Sequence, residues 1–101
     1  MLKYNQYEFF AAVWLWPGPA AWHFVTLPKD MSEHITKMFG DRKRGWGSLP
    51  VAVTIGSTVW NTSIFPDKKL GSFVLPLKKT VRKKEGIDVD QKIKVMIEIR
   101  I

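Results

Sequence analysis

Apolar and polar positions alternate most regularly at the end of the chain. There KIKVMIEIRI sets Ile93, Val95, Ile97, Ile99 and Ile101 on one side and Lys94, Met96, Glu98 and Arg100 on the other. A period of two marks a strand with one face buried. LPVAVTIG repeats the pattern with Val51, Val53 and Ile55, and Gly56-Ser57 supplies a tight turn into TVWNTSIF, so residues 50–65 read as a hairpin. AWHFVTLP is a further strand ended by Pro28, which cannot donate to a ladder, and SFVLPL is another. The run FFAAVWLW has no alternation. It predicts a strand buried on both faces, with Phe9, Ala11, Val13 and Leu15 pointing one way and Phe10, Ala12, Trp14 and Trp16 the other.

Two stretches have helical spacing instead. In the first, Asp30 and Glu33 stand at capping-box distance, Met31, Ile35, Met38 and Phe39 form an apolar stripe, and Gly40 is a natural stop. In the second, Leu77, Val81 and Ile87 provide the apolar contacts of a short basic helix closed by Gly86. Punctuation recurs between the halves: Trp16-Pro17 falls 49 residues before Phe65-Pro66, Phe24-Val25 falls 49 before Phe73-Val74, and Leu27-Pro28 falls 48 before Leu75-Pro76. Each half reads strand, strand, helix, strand. Three strands alone leave raw edges, so two such units predict a closed six-stranded barrel with two short helices, mainly β and pseudo-duplicated, filling all 101 residues as one domain.

Taken in order and at these spacings, AWHFVTLP, RGWGSLPVAVTIG, WNTSIFP, GSFVLPLKKTVRKKEGI and the final strand resemble the bacterial domain-of-unknown-function family nineteen-oh-five, over nearly the whole chain. The resemblance implies a small closed barrel, alone or joined to a bacteriocin-protection-type (YdeI/OmpD-associated) module, and it carries over no catalytic residue. Family members often show Gly-Asp before the last strand, where this chain has Val89-Asp90. Residues 71–99 are also similar to the swapped-hairpin units of AbrB-like DNA-binding regulators. Likeness of fold does not transfer DNA binding.

Charge changes the picture most. The net charge is +7, split as +2 over residues 1–50 and +5 over residues 51–101. Lys78, Lys79, Arg82, Lys83 and Lys84 surround the short second helix, and Arg42, Lys43 and Arg44 sit beside Trp46 in a glycine-bounded loop. Cations that neutralise phosphates next to a ring that stacks on a base suit nucleic acid or another polyanion. A short helix that keeps its lysines in water would carry the same residues. A different binding reading places Trp60 and Thr62 on the inner face with His23 and Ser63 nearby, as a pocket for a small molecule or a protein partner; a tryptophan that only fills the barrel leaves no pocket.

Enzymatic chemistry has little to stand on. With no cysteine there is no disulfide, thiolate zinc site or cysteine nucleophile. His23 and His34 lack acidic residues at ligand spacing, so no metal or cofactor is expected. GDRKRGWG lacks the lysine-serine ending of a phosphate loop, and Ser63 lacks a nucleophile-elbow pattern. The apolar run near the start follows Glu8, breaks at Pro17-Gly18-Pro19, and shows no small-residue cleavage pattern, so it is read neither as an export signal nor as a membrane span. The expectation is a binding module of the bacterial cytoplasm.

Overall fold

The computed structural model describes residues 2–101. Seven strands and two helices follow one another as β1 (Gln6–Ala12), β2 (Trp14–Leu15), β3 (His23–Thr26), α1 (Lys29–Phe39), β4 (Leu49–Ile55), β5 (Thr58–Asp67), β6 (Ser72–Pro76), α2 (Lys79–Glu85) and β7 (Lys92–Ile99). All strands pair antiparallel in one curled sheet, in the order β1-β7-β4-β5-β6-β3-β2. The expected alternation is met in β4 and β7, where Val51, Val53, Ile55, Ile93, Val95, Ile97 and Ile99 are all buried in one core. Ile101 lies past the end of β7 and is exposed.

The closed six-stranded barrel does not form, and the reason lies in the first apolar run. It is not one doubly buried strand. Val13 interrupts it, with its N–H donating to Gln91 O at 3.0 Å and its carbonyl accepting from Asp90 N–H at 2.7 Å. Residues before this break pair with β7 (Phe9 opposite Val95), and residues after it pair with β3 (Trp14 opposite Phe24). The sheet therefore has seven strands, β1 and β2 stand at its two ends, and no ladder joins β1 to β3 among the described residues. Nor is the run buried on both sides, since Phe10 is 60% exposed and Trp16 45%.

The helices close the core with different means. α1 buries Ser32, Ile35 and Phe39, while Met38 faces solvent, so the stripe is narrower than expected. The capping box is absent: Pro28 is the N-cap, and Asp30, already inside the first turn, accepts from the Met31 N–H. α2 buries Val81 and ends at Gly86, whose φ of 64° needs a residue without a β-carbon penalty. Leu77 and Ile87 flank it in the core, as the sequence indicated. Before β7 the left-handed residue is Asp90 (φ 72°), a type that tolerates this conformation, so Val89 needs no glycine.

Ser32 links α1 to the sheet. Its hydroxyl accepts the buried N–H of Phe73 at 3.0 Å. Ser32→Ala would leave that N–H without a partner and should lower stability by about 1–3 kcal/mol; an unchanged urea midpoint would show that Ser32 is not the acceptor.

Candidate functional site

β5 decides what faces the concave side. Trp60 and Ile64 are buried and Asn61 is exposed, so the ring and Thr62 turn inward together while Ser63 falls on the opposite face. Near Trp60 and Thr62 the chain brings in the start of β3 and the start of α2, leaving a hollow of about 350 Å³. Its apolar walls come from Trp22, Trp60, Pro76 and the backbone around Ala20 and Ala21. Its polar groups are Thr62, His23, Lys78, Lys79 and Arg82.

Two of these side chains are held in place. Arg82 donates from Nε to the Leu77 carbonyl at 3.0 Å, which turns the guanidinium back from α2 toward β3. Its Nη1 then lies 3.5 Å from His23 Nε2. His23 Nδ1 lies 2.9 Å from the Ala21 carbonyl, which can only accept, so the ring carries its proton on Nδ1 and offers the Nε2 lone pair to Arg82. Ala21 reaches this position with φ of 51°, a left-handed conformation that a residue with a β-carbon adopts at a cost of about 1–2 kcal/mol. Such strain persists only where surrounding structure imposes it.

The electrostatics are one-sided. No carboxylate lines the hollow, and Lys78, Lys79 and Arg82 make no salt bridge among the described residues, where the one ion pair is Lys94 with Glu8 at 3.5 Å. The acidic residue of α2, Glu85, points elsewhere and accepts from the Thr58 hydroxyl at 2.6 Å. Four other surface hollows of the described residues each contain a carboxylate: Glu33 and Asp67 in one, Glu8 and Glu85 in another, Glu8 and Asp30 in a third, Glu98 in the last.

Six of the residues singled out in the sequence thus meet in one place: His23, Trp60 and Thr62 from the pocket reading, and Lys78, Lys79 and Arg82 from the basic one. Lys83 and Lys84 are exposed on α2 and do not line the hollow. Arg42, Lys43, Arg44 and Trp46 stay apart, toward the other end of β6. Lys43 Nζ sits 5.5 Å from the Phe73 ring centroid, and Gly47 packs against Pro66. His34 is engaged by Tyr7, whose hydroxyl lies 2.9 Å from Nδ1 and whose phenol is raised above its ordinary pKa by burial. The sequence places Ala21 and Trp22 inside the strand AWHFVTLP, but β3 begins only at His23; Ala21 takes a left-handed turn and Trp22, 52% exposed, lines the hollow, which the residue pattern did not reveal.

Residues 9–97 match the model of a family described as Domain of unknown function (DUF1905). The chain belongs to this family. The DUF1905 match runs from within β1 into β7 and spans every residue of the hollow. No curated protein matches the chain.

The tautomer is open to direct measurement. Long-range proton–nitrogen correlation spectra above the titration range of imidazole should show His23 protonated on Nδ1; an Nε2–H pattern would mean that the contact with Arg82 is not the one described.

Proposed function

We propose that this DUF1905 domain is a binding module whose ligand is a small anion, held in the hollow between β3, β5 and the start of α2. The observation that carries this is the gathering of Lys78, Lys79 and Arg82 around an apolar floor with no carboxylate to neutralise them. Lys78 and Lys79 stand exposed at the rim and Arg82 is half-buried, so an arriving anion meets three cationic donors without competition from a carboxylate. Arg82 supports the reading further: its Nε donates to the Leu77 carbonyl and its Nη1 stands 3.5 Å from His23, which orients the guanidinium and leaves its other N–H groups for a carboxylate or phosphate. The volume is at the lower end of ordinary small-molecule sites.

A duplicated chain also fits this arrangement. The two helices start 50 residues apart, at Lys29 and Lys79, and at that spacing the β3–β6 hydrogen bonds Leu27 N–H to Phe73 O and Leu77 N–H to His23 O, both 2.9 Å, exchange places. At that spacing Ala21 corresponds to Gly71, both with positive φ, and Ser32 corresponds to Arg82. In one half the helix residue serves a backbone N–H of the sheet; in the other it faces the hollow.

A second reading concerns Trp46. It is 90% exposed at φ of 63°, in a loop fixed by the bonds Arg44 N–H to Ser48 O (2.8 Å), Gly47 N–H to Arg44 O (2.9 Å) and Ser48 Oγ–H to Gly45 O (2.8 Å). An exposed ring carried on a hydrogen-bonded loop and flanked by Arg42, Lys43 and Arg44 suits stacking on an unpaired base of a nucleic acid.

The two readings separate by experiment. Inorganic phosphate or acetate, titrated at low salt, should shift the amide resonances of Thr62 and Lys78–Arg82, with Arg82→Ala weakening the effect about tenfold or more. Absence of any shift with either anion would remove the first reading. A fluorescently labelled oligothymidylate should bind, as read from its anisotropy, with an affinity that falls steeply as salt is added, and Trp46→Ala should lower it by about 1–3 kcal/mol; equal affinity in the variant would remove the second.

A further inference from the structure

The wall of the hollow formed by Trp22 is the end of a stack of rings. Trp14 and Phe24 face each other across the β2–β3 pair with centroids 5.1 Å apart and planes at 29°. Trp22 also stacks with Phe24, at 6.0 Å and 16°. The stack is anchored at its far end, where Trp14 donates its indole N–H to the Thr26 hydroxyl at 2.9 Å. Among the described residues Trp22 has no further aromatic partner; it is 52% exposed and lines the hollow.

We propose, building on the anion site above, that the ligand is a planar aromatic acid: a flat conjugated ring carrying a carboxylate or a phosphate. Its ring becomes the fourth member of the stack, laid against Trp22. Its charge reaches Lys78, Lys79 and Arg82. Three physical reasons select this class over an aliphatic anion. Aromatic rings gain from offset stacking beyond the area they bury, and a plate already aligned on Phe24 loses little freedom when another ring joins. An anion without an apolar body would leave the half-exposed Trp22 ring wet. A neutral ring would leave the three cations unpaired.

The test compares ligands that differ in one property. Benzoate and cyclohexanecarboxylate share charge and approximate size but only one is flat and conjugated; acetate has the charge alone; phenyl phosphate exchanges the head group. Dissociation constants come from shifts of the Lys78–Arg82 amides, and stacking is read from upfield displacement of the ligand's own protons. Benzoate is expected to bind about three- to tenfold more tightly than cyclohexanecarboxylate, with its ring protons displaced upfield. Trp22→Leu, a change at a half-exposed side chain, should abolish that preference and the displacement while cyclohexanecarboxylate still binds. Equal affinity of the two acids, or a preference that survives Trp22→Leu, overturns the aromatic class and leaves the anion site standing. Failure of all four ligands overturns both. Tighter binding of phenyl phosphate than of benzoate would assign the head group as phosphate, and the reverse order as carboxylate; either agrees with the proposal.

Discussion

The molecule depends on the two backbone hydrogen bonds that Val13 makes with residues 90 and 91. They bend the first apolar run where a straight strand would have left the sheet. One short segment can then pair with β7 before the bend and with β3 after it. A flat sheet of this size would expose half its apolar side chains; the curl turns Val51, Val53, Ile64, Val95 and Ile97 toward one another and excludes water from them almost fully. The curl also brings β3 and β5, strands not adjacent in the sheet, to opposite sides of the hollow.

What the scaffold provides is an uneven division of charge. Glu85 is drawn to the β4–β5 turn by Thr58, and Glu8 is drawn to Lys94 across the β1–β7 pair. Both carboxylates are thus kept away from α2's cations by local partners. The cationic character of the hollow arises as much from where the acids are retained as from where the lysines lie. Ala21 contributes by geometry: its carbonyl fixes the His23 tautomer, and the turn that allows this carries the strain.

Much of this was legible in the sequence. Strict alternation identified β4 and β7 and their inward sides, because a half-buried strand allows little else, while β5 was placed only as the second arm of the hairpin. Gly86 and the flanking Leu77, Val81 and Ile87 identified α2. The bend at Val13 was not legible, since its cause is backbone pairing with residues almost eighty positions away and leaves no mark in residue type. The capping box at Asp30 failed for a related reason: the helix start is set with Pro28 as the N-cap, two positions too early for Asp30 to serve. At the site, the cations and His23, Trp60 and Thr62 could each be named, but not their meeting. That rests on Trp60 facing inward, which a strand mixing Trp, Asn, Thr and Ser leaves ambiguous, and on the turn through Ala21.

Because residues 6–15 cover both ends of the sheet, their docking joins Phe9 to Val95 and must close nearly the entire chain into a loop. Contacts so distant in sequence are slow to assemble. A nascent molecule would therefore spend time with β7 and β3 bare, and another copy's leading segment could fill the vacancy as well as its own. Exchange of that segment between chains is the assembly error to which this architecture is most exposed, and its frequency should rise with protein concentration during refolding.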